Sequence, residues 1–131
     1  MQSLGFFVEL GMADPDGGRA SIMEATRVHP DEDKGRMLEY LSSGYRMLDI
    51  MEGGRDVVND SAEPISDTAS ILFDGAWYWR RDLQVYYERY DVALPDEFVD
   101  HVRRNAYRVP EIGSDELADA SVDIMRHLGF A

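Results

Sequence analysis

Three histidines, 26 acids and no cysteine bound the chemistry open to this chain. His29, His101 and His127 are the side chains able to carry a proton near neutral pH. Hydrolysis by a nucleophile needs a serine or cysteine beside such a base, and a third group to orient it. None of the three belongs to a G-x-S-x-G elbow or a comparable local arrangement. His29 precedes Pro30 at an expected helix entrance, and His101 lies between Asp100 and Val102 on a short helix. His127 falls in the last turn of the final helix, where the dipole favours a cation. All three read as structural, and no catalytic residue is expected.

Metals and phosphates fare no better. Zinc would need a His/Cys set, and neither H-x-x-x-H nor cysteine is present. Asp14-Pro15-Asp16-Gly17 is too short for a twelve-residue calcium loop and lacks its terminal Glu. Asp31-Glu32-Asp33 are adjacent, so on a helix they point in different directions. Gly17-Gly18 and Gly53-Gly54 are isolated pairs without the spacing of a phosphate cradle. No metal and no cofactor is expected. Carboxylate pairs for glycosidic chemistry carry no signal, because so many acids always supply pairs somewhere.

The elements that must position these residues follow from composition and periodicity. With 131 residues, 44% of them hydrophobic and 11% aromatic, the chain suits one domain, residues 1–131, with a real core. Its formal net charge of −13 disfavours nucleic acid and anionic membrane surfaces, both of which want clustered Lys/Arg. No stretch approaches the ~20 apolar residues that span a bilayer. MQSLGFFVELGM has no basic start and no small-residue cleavage site, so it does not read as a signal peptide.

Gly11–Arg19 and Asn59–Thr68 concentrate turn residues and are expected as loops. Pro30–Ser43 reads as a helix that opens on Pro30, carries Asp31, Glu32 and Asp33 in its first turn, buries Met37, Leu38 and Leu41, and ends at Gly44. Tyr45–Met51 alternates loosely, and Glu52–Arg55 turns into a short Asp56-Val57-Val58 strand. ASILFDGAWYW, Ala69–Trp79, places β-prone runs around Asp74-Gly75, which predicts a hairpin with a type I′ turn. Asp82–Tyr90 sets Leu83, Tyr86, Tyr87 and Tyr90 on one helix face. Pro95–Asn105 is helical and buries Phe98, Val99 and Val102; Ser114–Leu128 is helical with Ser114 as N-cap and Gly129 just beyond. Leu4–Leu10 is ambiguous and Ser21–Ala25 leans helical. The order predicts an α+β fold: a small antiparallel sheet with a β-hairpin, covered by about four helices. The tyrosines among Trp77, Tyr78, Trp79, Tyr86, Tyr87 and Tyr90 are expected to bury their rings and send hydroxyls to the surface.

The last helix has the most interpretable charge pattern. Asp115, Asp119 and Asp123 follow i, i+4, i+8 spacing with Glu116 beside them, while Leu117, Ile124 and Leu128 lie opposite. Like charges at i, i+4 repel by a few tenths of a kcal/mol per pair. The stripe is either a solvated face or a surface that meets a cationic partner. Long-range attraction would then raise the association rate. Asp115, Glu116, Asp119 and Asp123 are the first candidate partner-binding set, and Asp31, Glu32 and Asp33 the second.

The segment from Ser70 to Pro110 carries a pattern of S-I, D-G-x-W-x-W, D-L-x-x-Y-Y, a further Tyr, L-P-x-x-F and H. It resembles a family of small, acidic bacterial proteins, some of which look like immunity proteins of polymorphic toxin systems. The pattern spans about a third of the chain and departs from the family at Phe73 and Arg80. The resemblance implies a cytoplasmic, non-enzymatic protein that binds and neutralises one cognate toxin domain by occluding its active site, and it supplies no binding residues. Charge adds independently that the partner has a basic cleft. Two other classes remain open: a nucleic-acid mimic that inhibits a host enzyme, and a small carboxylate-based enzyme. Oligomeric state is not legible.

Overall fold

The computed structural model describes residues 1–11, 20–49 and 53–130. Four strands form one sheet: β1 (Gln2–Leu4), β2 (Tyr45–Leu48), β3 (Ile71–Phe73) and β4 (Trp77–Arg80), in spatial order β1-β4-β3-β2. Five helices accompany them: α1 (Ile22–Ala25), α2 (Lys34–Ser42), α3 (Asp82–Tyr90), α4 (Asp96–Arg104) and α5 (Ser114–His127). The α+β class is as expected. The sheet, however, is mixed: β1 pairs parallel to β4, with Gln2 opposite Trp77 and Leu4 opposite Trp79. A parallel pair needs a long crossover, and here more than seventy residues separate the two strands.

Both faces of the sheet are covered, so the two central strands, β3 and β4, are buried at every position rather than at alternate ones. One face carries Leu72, Trp77 and Trp79, packed with Met37, Tyr40 and Leu41 of α2, Leu83, Tyr86 and Tyr87 of α3, and Phe98 and Val102 of α4. The other carries Ile71, Phe73 and Tyr78 against Ala120 and Ile124 of α5. Phe98 is the hub of the larger core. Its ring meets Trp77, Trp79 and Tyr40 edge-on, with centroids 5.4, 5.6 and 6.0 Å away.

The hairpin forms at Asp74-Gly75, with Leu72 opposite Trp79 and Phe73 opposite Tyr78. Its turn is not type I′. Only Gly75 takes a positive φ, 105°, and the Asp74 side chain builds the bend by accepting from the amides of Ala76 and Trp77 at 2.9 and 2.7 Å. An Asx turn of this kind replaces the second left-handed residue.

Other boundaries moved for physical reasons. Helix α2 begins at Lys34, not Pro30, because Asp31 and Asp33 are engaged by other elements instead of capping their own helix. Gly44 follows the helix for lack of space: a Cβ there would sit 2.9 Å from Trp79 Cζ2 and 3.0 Å from Leu72 Cβ. Asp56-Val57-Val58 is not a strand; the backbone there bends around the Asp56 carboxylate, which accepts from the amides of Val58 and Asn59. Gly54 forms an isolated antiparallel bridge to Ile65. At α5 the cap is Gly113 and Ser114 is already helical, while Gly129 takes φ 84° past the end as expected. Asp14-Pro15-Asp16-Gly17 and Gly17-Gly18 lie outside the described residues.

Candidate functional site

Four of the seven tyrosine hydroxyls end on aspartates, Tyr87 and Tyr90 among them, where the surface was expected. Tyr40 donates to Asp74 at 2.6 Å, Tyr87 to Asp31 at 2.7 Å, Tyr107 to Asp33 at 2.7 Å, and Tyr90 to Asp56. Each of these acids has at least one further charged or cationic-capable partner: His101, Arg27, Arg103 and Arg89 respectively. A hydroxyl that is buried at one end of an aromatic ring needs an acceptor, and an aspartate supplies one where water cannot.

This sorts the candidate acids. Asp31 sits under Arg27 and Tyr87; burial opposes its ionisation, but those two hydrogen bonds win and hold its carboxyl below the usual range. Arg103 first, then Tyr107, hold the Asp33 carboxyl low as well, and through it tie α4 to the entrance of α2. Glu32, between them, is exposed. The set Asp31, Glu32 and Asp33 is therefore not brought together: two members face inward as ties between helices, and one faces solvent.

Asp115, Glu116, Asp119 and Asp123 behave differently. All four are exposed on α5, and none enters an ion pair or side-chain hydrogen bond among the described residues. Helix α5 buries its opposite side, Ala120 and Ile124, against the sheet and leaves Leu117 and Leu128 half-buried. The acidic stripe thus stands free on the outer side of the layer that α5 alone provides. Val122, 47% exposed, interrupts it with an apolar side chain.

One acid cluster had no signal beyond its turn dipeptide. Asp74 is wholly buried and accepts four hydrogen bonds: Ala76 and Trp77 amides on one oxygen, Tyr40 Oη and His101 Nε2 (2.9 Å) on the other. The spacing of Tyr40, Asp74 and His101 along the chain is meaningless until α2, the hairpin turn and α4 converge. Burial first, then the bond to Asp74, push the Tyr40 phenol well above its ordinary pKa. His101 is 18% exposed and borders two adjoining surface clefts that it shares with Arg104. A histidine oriented by a carboxylate can act as a general base. No serine, threonine, lysine or tyrosine lines either cleft.

The other two histidines do not join it. His29 is exposed in a bend, and His127 stacks on Tyr78 with centroids 6.4 Å apart. Another buried acid, Asp82, is forked by Arg80 at 3.0 and 3.1 Å; burial pushes its carboxyl up to about 6 against the pull of that guanidinium. Asp82 is wholly buried, and Arg80 continues to the Leu10 carbonyl, which makes the pair a fastening between β4, α3 and the N-terminal segment. Among the described residues no three His, Asp or Glu side chains gather as a metal shell requires.

No protein-family model matches the chain, and comparison with curated proteins and with solved structures also gives no match. Among the described residues no helix is long and apolar enough to cross a membrane.

Proposed function

We propose that this is a non-enzymatic binding protein of the immunity type, whose acidic α5 face docks in the basic cleft of a cognate bacterial toxin and blocks it in the cytoplasm. One observation carries the reading: the acids that fold the protein are paired, whereas the four on α5 are exposed and uncompensated. Like-charge repulsion along that helix is a standing cost of a few tenths of a kcal/mol per pair, and a cationic partner removes it. Steering follows from the same stripe, since a field of one sign raises encounter rates by tenfold or more. The resemblance of Ser70–Pro110 to small acidic immunity-like proteins points the same way.

The test is association with the toxic domain encoded beside this chain's gene, followed against ionic strength. The expected result is a rate that falls steeply with salt, and a D115N/E116Q/D119N/D123N variant that folds normally, associates about tenfold or more slowly at low salt and protects cells less. A salt-insensitive rate, or full protection by the variant, overturns the assignment.

A further inference from the structure

The structure also assigns the partner's anchor. We propose that the cleft between the hairpin turn, the end of α4 and the start of α5 receives one arginine side chain of that partner; the inference rests on the reading above and gives it a contact point.

The cleft has a volume of about 480 Å³. Its far wall is the segment after α4, where Ala106 and Tyr107 take positive φ (52° and 60°) and turn the chain back across the sheet. That wall is fixed. Tyr45 Oη donates to the Pro110 carbonyl at 3.3 Å and accepts from the Ile112 amide at 3.1 Å, and Ile112 packs over Gly75. Tyr107, in turn, is held by Asp33 and by Arg36, whose guanidinium carbon lies 5.2 Å from its ring centre. A site built on fixed walls loses little entropy on binding.

The lining suits a guanidinium on a methylene stem. Glu111 and Glu116 flank the opening, exposed and without an ion pair among the described residues. Two carboxylates match the planar fork of arginine better than the single point charge of lysine. Pro110 and Ile112 offer an apolar wall for the stem. Asp74 beneath is saturated by its four donors, so it adds negative charge without competing for the ligand's N–H groups.

Arg104 is the resident cation of this cleft. It lies four residues beyond Asp100 on α4, and both, with Glu97, line the neighbouring cleft of about 330 Å³. Among the described residues Arg104 forms no ion pair with Glu111 or Glu116, so both carboxylates are left to the incoming side chain. Glu116 belongs both to this cleft and to the α5 stripe, so a single arginine here sits at the inner end of the acidic face.

The experiment is a ¹H–¹⁵N NMR titration with N-acetyl-arginine amide as probe, its own carboxylate blocked, and N-acetyl-lysine amide as the comparison. The expected result is saturable shifts at Gly75, Asn105, Ile112 and Glu116, weaker for the lysine probe. In E111Q/E116Q the affinity for the arginine probe falls about tenfold, while D119N/D123N leaves it unchanged. Shifts that do not saturate, that spread along residues 119–127, or that persist unchanged in E111Q/E116Q overturn the anchor. If the probe fails while partner association stays salt-dependent and sensitive to D119N/D123N, the anchor falls and the wider reading stands. If partner association is salt-insensitive, the reading itself has failed, whatever the probe does.

Discussion

Removal of the Asp74 carboxylate tests how the candidate site is held. In Asp74→Ala four donors lose one acceptor pair: the amides of Ala76 and Trp77, Tyr40 Oη and His101 Nε2. Tyr40 and Trp77 are buried, so water cannot replace the bond for those two, whereas Ala76 and His101 border the cleft and can hydrate. An orphaned buried donor costs about 1–3 kcal/mol, and the two together with the lost turn give about 3–5 kcal/mol. For a chain of this length that lowers Tm by roughly 10–20 °C. Asp74→Asn keeps Oδ1 for the two amides and turns its NH₂ toward Tyr40 Oη and His101 Nε2, both able to accept, so about 1–2 kcal/mol is expected. Urea denaturation at pH 7, followed by the fluorescence of Trp77 and Trp79, measures both. The Tyr40→Phe change costs about 1 kcal/mol alone, and much less in the Asp74→Ala background because the two share one bond. Equal losses for Asp74→Ala and Asp74→Asn, or a loss below about 1 kcal/mol for Asp74→Ala, would refute the node.

Two further outcomes are expected. Burial, then a bond to an aspartate, raises the phenol pKa of Tyr40, Tyr87 and Tyr90, the last to about 12, and burial raises that of Tyr86. A folded-state pKa above the unfolded value near 10 means stability is intact below pH 10 and lost above it. Of the seven tyrosines, these four should therefore add their 295 nm absorbance only with alkaline unfolding, and Tyr87→Phe should remove one ring's share of that step; ionisation of more than three rings before unfolding contradicts it. Gly44→Ala places a Cβ within 3.0 Å of Trp79 and Leu72, which overpacks the core by about 1–3 kcal/mol and shifts tryptophan emission; an unchanged urea midpoint contradicts the close approach.

Local chemistry was legible in the chain itself. The Asp74-Gly75 dipeptide between β-prone runs implied a hairpin, the Leu83/Tyr86/Tyr87/Tyr90 spacing implied a helix face, and Gly129 marked a helix end, because each depends on residues within a turn or two of one another. The α5 stripe was visible for the same reason, since i, i+4 spacing fixes which side chains share a helix side. The acids that fold the protein were not visible. Asp31 and Tyr87 are 56 residues apart, Asp33 and Tyr107 74, Tyr40 and Asp74 34, and nothing local distinguishes an aspartate that will be buried from one that will stay wet.

Tertiary structure decided three things. It set β1 parallel to β4 at the edge of the sheet, which the long connection between them permits by returning the chain to the same end. It split the helices, α1 to α4 against one face and α5 alone against the other, which leaves the acidic side of α5 outermost. It also turned Tyr87 and Tyr90, expected to reach water, into donors for the Asp31 and Asp56 carboxylates, for a hydroxyl inside a packed layer must find its acceptor within the protein. Sequence alone determined that this chain is acidic, compact and patterned for helices after a hairpin; packing determined which of its negative charges remain available to anything else.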